Sequence, residues 1–248
     1  MSIGAIIPLK NEFGNVESMV FGASNLAILD EIIFIDGDSS DGTFRALTEY
    51  IAETNDARMR AVKQQAPFGK FEAIKQAVTV LKSDNVLIWD GDNTIDYEDV
   101  KKSLDLYTKA LVNGKVFLVA NRLTPQREEK SFRFINLLGN HLFSLLMAPI
   151  LNRKLQDVLS GLKIFPKFLI SNKNNCTDLL SLDKYGDLTL LSLGRKFKVQ
   201  FISVPCRYKA RSYGSSSIKR WNGGYNLLKV VMHLLAHRCN KQKNFEYA

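Results

Sequence analysis

One stretch near the middle of the chain limits the possible folds more than any other. Residues 86–89 are apolar and run directly into Asp90, Gly91 and Asp92. A short apolar run that stops at Gly and Asp predicts a buried strand that ends at a loop. In an open α/β sheet ligands bind beyond the carboxyl ends of the strands, so both carboxylates should face a crevice. Carboxylates on either side of a glycine suit a hard divalent cation that also holds phosphates, although an isolated Asp-x-Asp is more often a solvated turn.

The rest of the chain alternates apolar runs of strand length with helical periodicity. Strands are predicted at residues 3–9, 31–35, 60–63, 116–120 and 199–204, in addition to the central run. Helices are predicted at residues 16–29, 44–54, 71–81, 97–111, 186–193 and 225–237. Residues 167–184 are polar and predict a loop. This alternation predicts an α/β fold with a mostly parallel, twisted sheet and helices on both faces.

The composition is that of an ordinary globular protein. The 248 residues are 46% hydrophobic and 24% charged, which is enough for one large domain with a substantial core. Three widely spaced cysteines without a CxxC pair indicate a reducing compartment and argue against disulfides or structural zinc. Because no basic region precedes the first apolar run, we expect no signal peptide and a cytoplasmic location.

Positive charge is concentrated in the second half of the chain. The formal net charge is +9, and residues 195–243 contain twelve Lys or Arg and no Asp or Glu. This asymmetry predicts an anionic partner, such as nucleotide phosphates or an anionic membrane surface. No nucleic-acid-binding module is recognisable, so nucleic acid is not an expected partner. Residues 131–151 are apolar but too short to span a bilayer, and predict either a core helix or an interfacial one on the inner face of the membrane.

Three predicted strands end in acidic or polar loops. In a parallel sheet these strand ends share one edge, so the loops should converge although they are distant in sequence. Lys70 follows Gly69 at a predicted helix start and adds a donor for a phosphate or a base. The converging side chains are those of Asn11, Glu12, Asp36, Asp38, Asp90 and Asp92.

Taken together, these motifs resemble glycosyltransferase family 2, whose members are inverting enzymes that use nucleotide sugars and have the Rossmann-like GT-A fold. The residues that carry the resemblance are 6–12, 31–43, 69–70, 90–92, 121–122, 157–163 and 211–217. The spacing is most similar to the branch that makes polyprenyl-phosphate sugars, the dolichyl-phosphate mannose synthase-like enzymes. We expect a GT-A catalytic domain over residues 1–217 and a basic helical tail over residues 218–248 that packs on the domain or on a membrane surface.

The resemblance implies a site for a nucleotide-diphosphate sugar and a metal ion. The donor-binding residues would be Pro8, Asn11, Glu12, Asp36, Asp38, Lys70, Asp90 and Gly91. The Mg²⁺ or Mn²⁺ ion would be held by Asp90, Asp92 and Thr94. The implied reaction is direct displacement at the anomeric carbon, in which the metal neutralises the charge that grows on the leaving nucleotide.

The catalytic residues differ with the acceptor. Arg122, Arg133 and Arg211 would hold phosphates. A hydroxyl acceptor on a glycan needs a general base, for which Asp187 is the candidate, with a helix N-cap as its alternative role. A phosphate acceptor needs cations and no strong base, because its second pKa is roughly 6. The basic second half favours a polyprenyl phosphate, and a glycan hydroxyl stays open.

Two other classes of function remain as alternatives. Residues 90–94 also resemble the Asp-x-Asp-x-Thr signature of haloacid-dehalogenase-like phosphatases, in which Asp90 would be the nucleophile. That signature usually opens its fold, whereas two strand–helix units precede it here. The other alternative is a non-catalytic module that binds a nucleotide or an anionic lipid. The sequence contains neither a Gly-x-Gly-x-x-Gly nor a Walker motif, which disfavours dinucleotide-dependent oxidoreductases and P-loop enzymes.

Overall fold

The computed structural model describes residues 1–125, 134–171, 182–214 and 220–243. Within this part of the chain, one sheet contains β1 (Ile3–Leu9), β2 (Glu31–Asp36), β3 (Met59–Lys63), β4 (Asn85–Ile88), β5 (Val116–Asn121), β6 (Lys163–Pro166) and β7 (Gln200–Pro205). Their spatial order is β3-β2-β1-β4-β6-β5-β7. β6 is antiparallel to β4 and β5, and the other neighbouring strands are parallel. The predicted mostly parallel sheet is confirmed.

Helices cover both faces of this sheet, as predicted. They are α1 (Val16–Ser24), α2 (Thr43–Thr54), α3 (Lys70–Val80), α4 (Tyr97–Leu111), α5 (Phe134–Leu151), α6 (Phe168–Ser171), α7 (Asp187–Lys196) and α8 (Arg220–Lys243). α1, α2 and α4 bury their apolar residues in a core on one face of the sheet. α3 and α5 to α8 do so in a second core on the other face.

The strands are continuously apolar because they are buried on both sides. In β2, Ile33 and Ile35 belong to one core, and Ile32 and Phe34 belong to the other. Alternate side chains of a strand point to opposite faces, so a strand between two helical layers needs apolar residues at every position. This double burial fixes the register of the strands and therefore the place at which each one ends.

The first helix is shorter than predicted. α1 ends at Ser24, although apolar spacing continues to Leu29. The Arg58 guanidinium accounts for the early end, since it donates to the carbonyl oxygens of Ser24, Leu26 and Leu29 at 2.9, 2.9 and 3.1 Å. Leu26 and Leu29 are still buried. The apolar spacing therefore predicted which residues are buried, but the predicted helix length was wrong.

Two regions of the second half also differ from the prediction. β6 was not predicted, and the predicted loop at residues 167–184 contains α6, whose Leu169 and Ile170 are buried. Residues 172–181 of that loop lie outside the described residues. The C-terminal helix is longer than predicted and packs against α5 and α7.

α5 has the buried side that a core helix requires, and its opposite side is exposed. The helix contains no Asp, Glu, Lys or Arg. Its inner side chains, such as Phe143 and Met147, are buried in the core, whereas Leu138, Leu142 and Leu145 are exposed. Among the helices of the described residues, none is both long and apolar enough to cross a bilayer.

Candidate functional site

The loops that follow β1, β2 and β4 lie at one edge of the sheet, as expected. The amide of Asn11 donates to Ser39 Oγ at 2.8 Å, and the amide of Ser40 donates to Asn11 Oδ1 at 2.9 Å, which joins the first two loops. The amide of Gly91 donates to the carbonyl of Pro8 at 3.3 Å, which joins the third. These bonds hold the three acid-bearing loops together at this edge of the sheet.

Two glycines allow the Asp90 carboxylate to sit deep at this edge. A Cβ on Gly91 would lie 2.5 Å from the Leu9 side chain and 2.9 Å from the Pro8 carbonyl oxygen. A Cβ on Gly161 would lie 1.8 Å from Asp90 Oδ2. Any larger residue at either position would displace the loop or the carboxylate. The glycine between the two acids is therefore required by close packing against Pro8 and Leu9 of β1.

Lys70 neutralises Asp90. Its Nζ lies 2.7 Å from Asp90 Oδ1 and 2.9 Å from Oδ2. Burial alone would lower the pKa of Lys70. The nearby Asp90 carboxylate has a larger opposite effect, so the pKa of Lys70 is raised above its usual value. Burial would likewise raise the pKa of Asp90, but Lys70 lowers it. Both groups are therefore charged at neutral pH, at the start of α3 beside the crevice.

Arg211 joins the β1 loop to the β4 loop. Its Nη2 donates to Asp92 Oδ2 at 2.7 Å, and its Nη1 donates to Glu12 Oε1 at 2.6 Å. The hydroxyl of Thr94 donates to Asp92 Oδ1 at 2.7 Å, so Thr94 orients the carboxylate. Because Glu12 and Asp92 come from separate strands, this bridge brings together two of the distant acids on which the predicted site depends.

Glu12 is held in an unusual electrostatic environment. Its side chain is buried, and Asn15 Nδ2 donates to its Oε2 at 2.6 Å. Burial raises the pKa of Glu12 to about 7, although the neighbouring Arg211 opposes that effect. The pKa of this carboxyl therefore lies near neutral pH, and both of its oxygens accept hydrogen bonds from within the protein.

Asp36 has a buried oxygen that no described residue satisfies. Its Oδ2 accepts a bond from the amide of Ser39 at 3.1 Å, but its Oδ1 is buried without a hydrogen-bond partner in the described part of the chain. A buried acceptor without a donor is costly, so this atom is suited to a donor on a ligand. Asp38 lies nearby on an exposed left-handed turn, with a φ of 63°.

The segment after β7, residues 206–214, crosses the same edge, and we call it the strap. The amide of Lys209 donates to the carbonyl of Thr94 at 2.9 Å. Further along the strap, Ser212 Oγ donates to Asn15 Oδ1 at 3.2 Å. The strap thus spans the loops after β4 and β1, and this path is what delivers the Arg211 guanidinium to the acids.

Arg122 follows β5 and is fixed by a buried carboxylate. Its Nε and Nη2 donate to the two oxygens of Asp157 at 2.7 and 2.9 Å. Asn140 of α5 donates to Asp157 at 2.7 Å. Burial would raise the pKa of Asp157, but Arg122 lowers it, so the pair is ionised. Arg133, the third predicted phosphate-binding arginine, lies outside the described residues.

Asp187 begins α7 and faces the same site. The N-cap position belongs to Gly186, so the structure does not give Asp187 the alternative role of a cap. Its Oδ1 is 2.5 Å from the Nζ of Lys163, a buried lysine at the start of β6. Asp187 contributes to raising the pKa values of both Lys70 and Arg122, which places its charge beside theirs.

The sequence did not assign roles to Lys163 and Asp157. Each is a lone charged residue in an apolar stretch, and each is buried in an ion pair with a predicted site residue. A charged residue is rarely buried without a partner. That rule, applied to residues 155–166, would have indicated two buried ion pairs but not their partners.

The carboxylates of Asp90 and Asp92 fit a hard cation whose remaining ligands are phosphate and water oxygens. Within the described residues, no three His, Cys, Asp or Glu side chains form a cluster that could hold a metal by themselves. Mg²⁺ and Mn²⁺ sites of phosphate-transferring proteins commonly use one or two carboxylates, with phosphate and water oxygens as the other ligands. Asp90 and Asp92 supply two such carboxylates, and Lys70 and Arg211 now pair with them.

Comparison with known proteins identifies relatives of the chain. It is 29% identical over 187 residues to the glycosyltransferase AglJ of Haloferax volcanii, which covers 75% of this chain and 56% of the relative. It is 23% identical over 219 residues to the dolichyl-phosphate beta-glucosyltransferase of Dictyostelium discoideum, which covers 82% of this chain and 64% of the relative. The chain therefore spans about three fifths of the length of these relatives.

Solved structures share the fold, and a family model covers most of the chain. The glucosyl-3-phosphoglycerate synthase of Mycobacterium tuberculosis, in complex with Mn²⁺, UDP and phosphoglyceric acid, has a TM-score of 0.68 at 18% identity over 94% of this chain and 78% of that one. The mannosyl-3-phosphoglycerate synthase of Rubrobacter xylanophilus has a TM-score of 0.64 at 17% identity over 97% and 75%. The model described as "Glycosyl transferase family 2" matches residues 5–171. The chain therefore belongs to glycosyl transferase family 2.

Proposed function

We propose that this protein is an inverting, metal-dependent glycosyltransferase that moves a sugar from a nucleotide-diphosphate sugar to a polyprenyl phosphate. The observation that carries the proposal is the bridge from Glu12 through Arg211 to Asp92, beside the Lys70–Asp90 pair. Acids and cations from separate strands meet there at the edge of the sheet where ligands bind in α/β folds. Family membership supports transfer over the phosphatase alternative, in which Asp90 would be a nucleophile.

The donor's nucleoside would lie against the loops after β1 and β2. Asp36 Oδ1 offers a buried acceptor, and the exposed Asp38 lies two residues further along the same loop. Pro8 and Asn11 connect this subsite to the neighbouring loops, because the Pro8 carbonyl accepts from the amide of Gly91 and Asn11 Oδ1 accepts from the amide of Ser40. A base or ribose donor that binds Asp36 would satisfy the oxygen that the described residues leave without a partner.

The donor's diphosphate would lie between the β4 loop and the strap. Lys70 pairs with Asp90, and Arg211 pairs with Asp92. Mg²⁺ or Mn²⁺ at these two carboxylates would neutralise the leaving nucleotide. The solved relatives that contain UDP with Mn²⁺ or Mg²⁺ support this choice of cofactor.

The acceptor is proposed to be a phosphate because the candidate base is already engaged. Asp187 Oδ1 lies 2.5 Å from the Lys163 ammonium, so removal of a hydroxyl proton would compete with a buried ion pair. An ionised phosphate needs no such base and gains from the neighbouring cations, including Arg122. The name of the dolichyl-phosphate glucosyltransferase relative supports the same acceptor class. Residues 1–217 would form the catalytic domain, and the basic tail at 218–248 would hold it at the cytoplasmic face of a membrane.

Product analysis with paired acceptors tests this proposal. The purified protein is incubated with Mn²⁺, either UDP-glucose or GDP-mannose, and either dolichyl phosphate or dolichol. We expect a hexosyl lipid phosphate, detected by mass spectrometry, with at least one donor and only with the phosphorylated lipid. Equal transfer to dolichol would overturn the phosphate acceptor. Release of free phosphate from a simple phosphate monoester, without sugar transfer, would support the phosphatase.

A matched pair of variants links the product to the site. Asp92→Asn removes one carboxylate charge from the proposed metal site, whereas Asp105→Asn removes one from an exposed position on α4. We expect the first change to reduce product formation by about a hundredfold or more, in the range seen when key electrostatic groups are removed. The second change should leave the rate unchanged.

A further inference from the structure

α5 and α8 expose apolar side chains that globular proteins usually bury. On α5, Leu138, Leu142 and Leu145 are 61%, 51% and 64% exposed. Their spacing of four and three residues places them on one side of the helix. The side opposite to this stripe contributes to the core, so α5 is apolar on both its inner and outer surfaces.

The second stripe lies on the neighbouring helix. Tyr225, Leu228 and Met232 of α8 are 63%, 42% and 59% exposed, with spacings of three and four residues. α5 and α8 are in contact, and both bury their inner residues in the same core on one face of the sheet. Their outer surfaces therefore point away from that core on the same side of the molecule. We call the six exposed residues the apolar face.

From these two stripes we infer that the apolar face is a docking surface for an anionic membrane, on which α5 and α8 lie in the interfacial region. This inference deepens the proposed function, because it states how the enzyme would reach a lipid-borne phosphate. Interfacial helices combine large apolar side chains with Lys and Arg and lie parallel to the bilayer surface.

Charge is the observation that selects a membrane over another apolar partner. Residues 188–245 contain no Asp or Glu, so no acidic residue of α8 opposes an anionic surface. Lys229 is exposed between the apolar residues of α8, and its Nζ lies 4.5 Å from the centre of the Tyr225 ring. A lysine over an aromatic ring, beside exposed aliphatic side chains, suits the boundary between headgroups and acyl chains.

α5 also connects this surface to the site. Its buried Asn140 donates to Asp157 at 2.7 Å, and Asp157 holds the Arg122 guanidinium. The helix that presents Leu142 and Leu145 to the exterior thus contacts Asp157, the carboxylate that holds the arginine proposed to bind the acceptor phosphate.

Vesicle flotation tests the inference directly. The full chain is mixed with phosphatidylcholine vesicles that contain or lack phosphatidylglycerol, at low and at high salt. We expect about tenfold or greater preference for the anionic vesicles, reduced but not abolished by salt, because both charge and apolar contact contribute. Equal binding to neutral vesicles, or none to either, would overturn the inference.

Substitutions on the two faces of the sheet provide matched controls. L138E/L145E places two carboxylates in the apolar face, whereas Leu106→Glu makes the same type of change at an exposed residue of α4, which packs on the opposite face of the sheet. We expect the double variant to lose vesicle binding by about tenfold or more and L106E to bind like the wild type. Equal binding by all three proteins would overturn the proposed face.

Two further measurements separate this inference from other outcomes. Light scattering after gel filtration measures whether the wild type is a dimer and whether L138E/L145E is a monomer. If the double variant dissociates the dimer and the wild type does not bind vesicles, the apolar face is an interface between two copies of the chain and the membrane inference fails. Nucleotide-dependent thermal stabilisation of both variants reports the donor site. If nucleotides stabilise no variant while anionic vesicles still bind, the proposed function fails and the docking surface stands.

Discussion

The Arg211 guanidinium lies 2.7 Å from Asp92 Oδ2, which belongs to one of the two carboxylates that we propose as ligands of the metal ion. The same guanidinium also contacts Glu12 at 2.6 Å. A divalent cation at this carboxylate would compete with Arg211 for Asp92, and a bound diphosphate would offer Arg211 another anionic partner. This competition predicts that metal and nucleotide bind cooperatively.

Removing Arg211 should strengthen metal binding in the absence of nucleotide. Arg211→Gln deletes the charge that opposes a second cation beside Asp92, and we expect the Kd for Mn²⁺ to fall by about tenfold. Electron paramagnetic resonance of free Mn²⁺ measures this directly. Arg207→Gln is the control, because it removes an equal charge from the strap where Arg207 pairs with Asp99 and Asp96. Weaker Mn²⁺ binding by R211Q would contradict the competition.

Gly161 should be intolerant of even one methyl group. Gly161→Ala places a Cβ 1.8 Å from Asp90 Oδ2, so the carboxylate must leave its contact with Lys70. We expect loss of Mn²⁺-dependent nucleotide binding, measured by calorimetry. Gly139→Ala is the matched control, because its Cβ meets nothing within 4 Å on α5, and it should stabilise the protein by about 0.5–1 kcal/mol through helix propensity. Normal binding by G161A would show that Asp90 is not confined as described.

The ion pair between Arg122 and Asp157 should contribute strongly to folding. Asp157→Asn leaves the largely buried Arg122 guanidinium without its charge partner, and breaking such a pair costs about 3–5 kcal/mol. Urea denaturation measures the loss. Glu49→Gln, which breaks the exposed pair with Arg45, should change stability little. Similar losses of unfolding free energy in both variants would contradict a stronger contribution from the buried pair than from the exposed one.

Stability should depend on pH through Glu12. Burial raises its pKa from 4.5 to about 7, so between these values the folded state binds a proton that the unfolded state releases. Folding stability from this group is therefore fully present below about pH 4.5 and is lost as the pH rises through about 7. Urea denaturation across this range should show the decline in the wild type and a flatter profile in Glu12→Gln. Glu98→Gln, at an exposed residue, is the control and should retain the wild-type decline. If stability falls with pH equally in the wild type and in Glu12→Gln, Glu12 is not the group responsible.

The sequence was sufficient to predict every strand of the described sheet except β6, and the edge at which the acidic loops lie. The run into Asp90 and the acidic ends of the two earlier strands follow from burial periodicity and from the geometry of parallel strands. The partners of those acids were not predictable, because the chain path that brings the strap across the β4 loop depends on tertiary packing. Arg211 was expected to hold phosphate, and its contacts with Glu12 and Asp92 emerged only from the fold.

Two other differences have local physical causes. β6 has four residues, begins with the buried Lys163, and is antiparallel, so neither length nor apolar periodicity marked it as a strand. The early end of α1 depends on Arg58, which lies beyond β2 in the sequence and reaches back to the helix carbonyls. In the first case a buried charge within the strand interrupts the apolar pattern, and in the second a charged residue from elsewhere in the fold overrides it.

Thermal unfolding with nucleoside diphosphates tests the central claim most directly. UDP and GDP are each added with Mn²⁺, without Mn²⁺, and to the Asp92→Asn variant, since a ligand raises the Tm only if the folded protein binds it. The account predicts that at least one nucleotide raises the Tm of the wild type in a Mn²⁺-dependent manner, and that D92N loses the Mn²⁺-dependent part. No shift with either nucleotide, or an undiminished Mn²⁺-dependent shift in D92N, would contradict it.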